Sequence, residues 1–383
     1  MEYREMPHGG EPISVIGMGM GSIHESSPTE IVRVLDSAIE RGVNYFDMAA
    51  SEDIVYRSYG EAFRGRRNQV MLQMHFGAVF DADGKYGWSK DYDTIRRNFE
   101  RILEETDAEY ADVGMVHCVD DPKDLDKIMN GKVFEYITEM RKGGVVRHLG
   151  ISSHTPETVL RFLDAADADM VMFSINPAYD YELGDSLGDD AAAVGSTAER
   201  ENLYRTCAAK GVGIVVMKPF CGGRILDARL SPLGIALTQE QCLQYVLDKP
   251  GVCTAVPGVR NMADLDRVLA YLDAPAEARD YSILRHGIAG IAPGRCSYCA
   301  HCHPCPAGIN IALVNKYYDL AILGDELAAE HYRQLDKNAS DCIACGHCNR
   351  RCPFHVSPQE KMAEVQAYFA HHTRPSGRSE SAE

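Results

Sequence analysis

VNYFDMAASEDIVYRSYG, Val43 to Gly60, is the stretch on which the fold turns. VNYFD has the character of a buried strand, and it ends on a carboxylate, Asp47. Small and acidic residues follow, and a helix is expected from about Arg57. The segment is therefore one strand–loop–helix unit. Its loop is crowded with groups that could move a proton: Asp47, Glu52, Asp53, Tyr56 and Tyr59. How often such a unit recurs decides the architecture.

Working outward, β-branched or apolar runs recur at ISVIGM (from Ile13), VMLQMH (Val70), DVGMVH (Asp112) and VVRHLGIS (Val145). They continue at MVMFSIN (Met170), VGIVVMK (Val212) and CTAVPG (Cys253). Amphipathic stretches separate them at 28–41, 57–65, 91–106, 123–142, 155–166, 199–210, 238–248 and 261–272. Apolar residues at helical spacing, such as Ile31, Val34, Leu35, Ala38 and Ile39, support these helices. Eight strands alternating with eight helices imply an α/β fold, a closed (β/α)8 TIM barrel. A dinucleotide-binding open sheet would instead start from Gly17, Gly19 and Gly21, with Asp47 as its acidic partner. The spacing G-x-G-x-G differs from G-x-G-x-x-G, and the helix starts only near Thr29, so the barrel is preferred. In a barrel, chemistry gathers where strands run out into loops at the C-terminal face. The polar strand ends are Asp47, His75, His117, Ser152, Asn176 and Lys218.

Eight of the 13 cysteines lie in two tight runs, CSYCAHCHPCP from Cys296 and CIACGHCNRRCP from Cys342. Two-residue gaps let three thiolates converge on one iron–sulfur cube, while the fourth Cys, followed by Pro, turns to the other. One 4Fe–4S cluster is thus expected on Cys296, Cys299, Cys302 and Cys352. The second is expected on Cys342, Cys345, Cys348 and Cys305. Structural zinc is the plain alternative, and the two Cys-Pro steps favour clusters. Residues 314–334 are expected to be a helical spacer. The remaining cysteines, Cys118, Cys207, Cys221, Cys242 and Cys253, read as small buried hydrophobes. Cys118 and Cys221 stand apart because each follows a strand end. The organisation expected is a barrel over 1–280, a small α-helical ferredoxin-like iron–sulfur domain over 281–370, and a disordered tail over 371–383.

With 45% hydrophobic and 25% charged residues, the chain has ample core for a globular protein. A net charge of −17 argues against nucleic acid as a partner. No apolar run reaches the roughly 20 residues needed to span a bilayer, and the first residues carry no basic-then-apolar signal pattern. A cytoplasmic location with no membrane partner is expected.

Five motifs in order, VNYFD followed by Gly60, DVGMVH, LGISS (Leu149 to Ser153), MKP (Met217 to Pro219) and VPG (Val256 to Gly258), resemble the aldo/keto reductase family. With the cysteine runs behind them, the chain resembles the branch of that family bearing a C-terminal ferredoxin-like module. The resemblance implies reduction of a carbonyl with NADPH. In the family a tyrosine donates the proton, a lysine paired with an aspartate tunes it, and a histidine orients the substrate oxygen. Asp47 matches the aspartate and His117 the histidine. Glu52 stands in the tyrosine's place and His75 in the lysine's. A glutamate must be raised in pKa by burial to act as an acid, so Glu52 beside His75 is expected either as a replacement acid/base pair or as the mark of a lost reaction. The resemblance also points to Ser152, Asn176 and Lys218 around the cofactor. Gly222 and Gly223 in FCGGR, and Gly258, Arg260 and Asn261 in PGVRN, would face its phosphates. Met172 stands where the family commonly has a glutamine, and Met217 where some members stack a tyrosine, although methionine before Lys-Pro is frequent in the ferredoxin-bearing branch.

Three functions follow. The first is an NAD(P)H carbonyl reductase with structural clusters. The second is an enzyme whose two 4Fe–4S clusters relay electrons from a ferredoxin-like partner to a small-molecule substrate. The third is a non-catalytic electron-transfer or assembly subunit. A flavin would join one-electron and hydride chemistry, and no motif marks a site for it. The long acidic loop from Ala178 to Arg200 is a candidate lid. Tyr179, Tyr181 and Trp88 could contact substrate.

Overall fold

The computed structural model describes residues 1–48, 51–80, 86–180, 194–284, 296, 302–322, 326–352 and 356–372. Eight parallel strands run in chain order: β1 Met18–Gly19, β2 Tyr45–Asp47, β3 Met71–Phe76, β4 Ala111–Val116, β5 Val146–Ser153, β6 Met170–Ser174, β7 Gly213–Met217 and β8 Val252–Ala255. Parallel bridges from Ile16 to Ala255 and from Gly19 to Gly258 join the last strand to the first and close the barrel. Gly19 permits that closure, because a Cβ there would lie 2.7 Å from the Val256 carbonyl oxygen.

The expected first strand is split. Pro12–Ser14 pairs antiparallel with Tyr3–Glu5, while Met18–Gly19 pairs with β2 and Ile16 bridges β8. Met6 and Ile13 from this hairpin pack with Tyr45, Met71, Val113, Met170 and Cys253 inside the barrel, so the hairpin plugs its N-terminal end. The larger core lies between strands and outer helices, where Ile31, Val34 and Leu35 of the helix Pro28–Glu40 are buried.

The helix after β2 spans Asp53–Phe63 and starts four residues before the expected Arg57. Glu52 sits extended at its N-cap, and Asp53 in the first turn complements the helix dipole. Tyr56 and Tyr59 are therefore inside the helix, and both are fully buried. The stretch expected as one helix over 123–142 breaks into Pro122–Met129 and Lys132–Lys142. After β3 the chain makes a small antiparallel pair, Ala78–Phe80 with Tyr86–Trp88. Most of the acidic loop, residues 181–193 with Tyr181, lies outside the described residues. At its root Asp180 accepts hydrogen bonds from Arg200 Nε at 2.8 Å, Tyr204 at 2.7 Å and Tyr245 at 3.0 Å.

In the C-terminal region the expected spacer is two helices, Ile311–Ala321 and Glu326–Arg333, followed by His347–Arg351 and Pro358–His371. Ile309, Val314, Leu320, Met362 and Val365 give this region its own apolar core. It packs on the barrel: Asp319 pairs with Arg224 at 3.5 Å, and the His331 ring meets Trp88 edge-on at 5.0 Å. Apart from 371 and 372, the expected tail lies outside the described residues. No helix among the described residues is long and apolar enough to cross a membrane.

Candidate active site

Side chains two apart on a strand share a face, so Tyr45 with Asp47 on β2, and Gln73 with His75 on β3, can line one surface. Asp47 pairs with Gln73 in register. Their side chains form a continuous line. Asp47 Oδ1 accepts from Gln73 Nε2 at 2.6 Å and lies 2.7 Å from His75 Nε2. His75 Nδ1 lies 3.0 Å from His117 Nδ1. Tyr45 donates to Gln73 Oε1 at 2.6 Å, which turns the Gln73 amide hydrogens toward Asp47. Asp47 and His75 are 7% and 3% exposed, so the line is shielded from bulk water. Burial, reinforced by His75, holds the His117 imidazole well below its ordinary pKa.

Glu52 is elsewhere. It is exposed at the helix N-cap, and its side chain makes no capping bond. No hydrogen bond or ion pair among the described residues joins it to His75; Asp47 takes that imidazole instead. Tyr56 is no substitute acid: burial pushes it up to about 12, and its hydroxyl accepts from the Ser51 amide at 2.8 Å.

A second cluster stands after β4 and β5. Asp120 Oδ2 lies 3.0 Å from His154 Nδ1, while Oδ1 accepts from the Ser153 hydroxyl at 3.0 Å and the His154 amide at 2.6 Å. Burial raises the Asp120 carboxyl, but His154 and these hydrogen bonds outweigh it and hold the group at about 2. Cys118 donates to Asp120 Oδ2 at 3.7 Å, and burial lifts its thiol well above the usual range. Cys118, Lys218 and Cys221 adopt left-handed backbone, φ 49°, 57° and 52°. Strain of that kind collects at functional sites.

Asn176 ties β6 to β7: its Nδ2 donates to the Lys218 carbonyl at 3.0 Å, and its Oδ1 accepts from the Tyr179 amide at 3.0 Å. Ser152 is buried on β5. Gly222 and Gly223 are left-handed at φ 63° and 84°, as a turn exposing backbone amides requires. Gly258 sits against Ser22, where a Cβ would lie 3.2 Å from the hydroxyl. Arg260 Nε donates to Asp264 at 2.7 Å, and Asn261 caps the helix Met262–Leu269 by accepting from the Asp264 amide at 3.0 Å. Gly258, Arg260 and Asn261 lead directly into this helix N-terminus, a setting suited to phosphate.

Cys305, Cys342, Cys345 and Cys348 line one pocket with Ile309, Ile311 and Met362. Four thiols around one apolar pocket suit a 4Fe–4S cube, and Cys305 reaches it from the first cysteine run. At the other expected site, the Asn315 amide donates to Cys296 Sγ at 3.3 Å, and Cys302 packs beside the module core. Cys352 is partly buried at the end of the short helix His347–Arg351. Cys299 lies outside the described residues.

An eight-stranded parallel barrel with polar groups gathered at its C-terminal mouth, joined to a cysteine-rich helical module, defines an oxidoreductase of composite type. Residues 15–238 match the aldo/keto reductase family, and the chain belongs to it. Residues 295–357 match a 4Fe-4S dicluster domain. Among curated relatives, an uncharacterized oxidoreductase, YqkF, from Bacillus subtilis is 24% identical over 287 residues, covering 69% of this chain and 89% of that one. Among solved structures, the holo form of the aldo-keto reductase AKR11C1 from Bacillus halodurans aligns with a TM-score of 0.59 and 22% identity, over 76% of this chain and 97% of its own. A Klebsiella pneumoniae aldo-keto reductase in complex with NADPH aligns at 0.54 and 18% identity, over 76% and 97%.

Sequence reasoning missed Gln73 and the Asp120–His154 pair. Gln73 carried one signal, its position two residues before His75 on the same strand.

Proposed function

We propose that the barrel mouth reduces a small organic substrate, a carbonyl or a reductively cleaved group. In this proposal Asp47, His75 and His117 serve as a proton line where the family uses tyrosine and lysine. The unbroken contact from Asp47 through both ring nitrogens of His75 to His117 carries the proposal. With Asp47 accepting from His75 Nε2–H, the His75 Nδ1 lone pair accepts from His117 Nδ1–H, which leaves His117 Nε2 as an acceptor. When His75 holds a second proton, the bond reverses: His75 Nδ1–H donates to His117 Nδ1, and His117 Nε2–H faces the substrate oxygen. A proton can thus pass without any side chain moving. Glu52, at the exposed rim, takes no part.

The family membership and the NADPH complex of the Klebsiella relative support a dinucleotide at the glycine turns. Gly222, Gly223 and Gly258 would let backbone amides approach its phosphates, with Arg260 and Asn261 beside them, Ser152, Asn176 and Lys218 lying toward the nicotinamide. Two clusters are proposed, one on Cys296, Cys299, Cys302 and Cys352, the other on Cys305, Cys342, Cys345 and Cys348. When bound they supply single electrons, for which a ferredoxin-like donor is the proposed partner. The proposed domain limits are 1–280 and 281–370.

The test is an anaerobic titration of the full chain with NADPH and NADH, followed by single-turnover assays on aldehydes and ketones. Saturable nucleotide binding with reductive turnover is expected. Absence of binding at millimolar nucleotide would remove the dinucleotide, and turnover unchanged in His117→Phe would remove the proton line.

A further inference from the structure

The cluster around Asp120 lies at the barrel mouth and takes no part in the proposed proton line. Its side chains differ in kind: a thiol on Cys118, a carboxylate on Asp120 and an imidazole on His154, with ligand atoms all within 4.8 Å of one another. Asp120 Oδ2 stands between the other two, 3.7 Å from Cys118 Sγ and 3.0 Å from His154 Nδ1. A tetrahedral ion with sulfur at about 2.3 Å and oxygen or nitrogen at about 2.0–2.1 Å sets neighbouring ligand atoms about 3.3–3.6 Å apart. Small shifts bring both contacts to that spacing.

The frame around the cluster is fixed. The Val119 amide donates to the Ser152 carbonyl at 3.0 Å, which pins the loop after β4 onto β5. Thr158 donates to the Asp120 carbonyl at 3.1 Å, and Asp120 Oδ1 takes the Ser153 hydroxyl and the His154 amide. Oδ1 thus orients the carboxylate, as the outer partners of a metal ligand do. Oδ2 meets the thiol and imidazole hydrogens, which an ion would replace. His154 is 6% exposed, and its Nε2 finds no hydrogen-bond partner among the described residues. Cys118 reaches Asp120 from left-handed backbone, φ 49°, which residues bearing a side chain adopt rarely.

Charge has to be weighed as well. Burial first, and then Lys218 and Lys316, disfavour positive charge at His154, while Asp120 favours it. The iron–sulfur module walls this end of the barrel: Lys316 Nζ lies 4.1 Å from the ring centroid of Tyr179, just after β6, and His331 packs against Trp88. Against the two lysines, a thiolate and a carboxylate bring two negative charges, which match those of a divalent ion. Sulfur and imidazole ligands disfavour magnesium and calcium, which take oxygen, and suit zinc.

We propose that Cys118, Asp120 and His154 bind a divalent ion of the zinc type, with an oxygen of the substrate as fourth ligand. Binding releases the thiol proton to solvent, and the imidazole coordinates through whichever nitrogen carries no hydrogen. A carbonyl held on such an ion is polarised by a Lewis acid, where the family relies on a tyrosine. His117, the neighbour of Cys118 in the chain, still brings the proton. The metal site stands by itself; its fourth ligand rests on the proposed reduction.

Cluster-loaded full-length protein is dialysed against buffered zinc, stripped of loose metal and analysed for zinc and iron. It should retain one zinc per chain beside the iron of its clusters. Zinc K-edge X-ray absorption should show one sulfur at about 2.3 Å, with nitrogen and oxygen at about 2.0–2.1 Å. Cys118→Ser keeps a hydroxyl to donate to Asp120 and should erase the sulfur. Ser153→Ala, which removes an outer partner, should weaken zinc about 10–100-fold. His154→Gln supplies the reading by loss of zinc if Cys118→Ser does not fold. Failure to retain zinc overturns the proposal. So does a shell of sulfur alone that persists in Cys118→Ser, since it places the ion on the cluster cysteines. Bound zinc without reductive turnover would sink the reduction and keep the metal site. Aldehyde reduction equally fast in zinc-free and zinc-loaded protein would keep the reduction and overturn the fourth ligand.

Discussion

Replacing His75 by glutamine separates proton transit from hydrogen bonding. A glutamine at this position can donate from its amide to Asp47 and accept at its carbonyl oxygen from His117 Nδ1–H. It thus preserves the contacts now made at 2.7 and 3.0 Å. What it cannot do is pass a proton between them. His117 becomes locked with its proton on Nδ1, and Nε2 can no longer donate. Because both bonds survive, the stability loss should stay near 1 kcal/mol, the typical net value of one hydrogen bond. His75→Ala instead strands two buried partners, at about 1–3 kcal/mol each. Loss of positioned acid–base catalysis should slow His75→Gln by about 10²–10⁴-fold, equivalent to about 3–5 kcal/mol of barrier. Urea midpoints supply the first quantity, and single-turnover reduction of the best carbonyl substrate supplies the second. A glutamine variant that folds normally and turns over within threefold of wild type would refute the proton line.

Other outcomes follow from the same geometry. Cys305→Ser and Cys345→Ser should each remove about half of the bound iron and extinguish the same EPR signal, because both thiols line one pocket; distinct signals would show that no ligand exchange occurs. Arg200→Met should cost about 3–5 kcal/mol in a denaturant melt, since it leaves the buried Asp180 carboxylate without its 2.8 Å partner. His117, His154 and His331 have depressed pKa values, chiefly through burial, so the unfolded chain binds protons there that the native state refuses. Stability should therefore fall as pH drops below about 6.5, by up to about 1.4 kcal/mol per pH unit for each of the three. His148, whose pKa is raised despite burial by hydrogen bonds to the Asp169 and Glu11 carboxylates, offsets part of that loss. Urea midpoints at pH 7.5, 6.5 and 5.5 measure the slope, and a flat profile would contradict it.

Local pattern was enough for the barrel. Each strand is short and apolar, each helix repeats at 3.6 residues, and the polar strand ends fall at one mouth by the handedness of the repeat. Errors came where tertiary contact overrules local preference. Apolar pattern puts Ile13 in the barrel wall, yet it turns into the plug because Pro12–Ser14 finds a partner in Tyr3–Glu5. Counting from Asp47 puts Glu52 beside His75, but the helix starts early and leaves Glu52 exposed at its N-cap. Cys305 shares a pocket with the second cysteine run, the arrangement expected of a final Cys-Pro step even though its run is one residue short of the usual spacing. The Asp120–His154 contact spans 34 residues, and the approach of Lys316 to Tyr179 crosses from one domain to another. Nothing periodic announces such contacts.

The seam between Trp88 and His331 bears on how the two halves can be handled. Covalent modularity, a barrel followed by a cysteine-rich appendix, suggests parts that could be cut and shuffled. The wall residues Lys316 and His331 belong to the appendix, so the excised barrel would be a bowl with one side missing. Damage to the clusters that loosened the module would therefore register as a change in what the barrel accepts, and a tightly held guest in the bowl would shift the docking equilibrium of the module by the same factor.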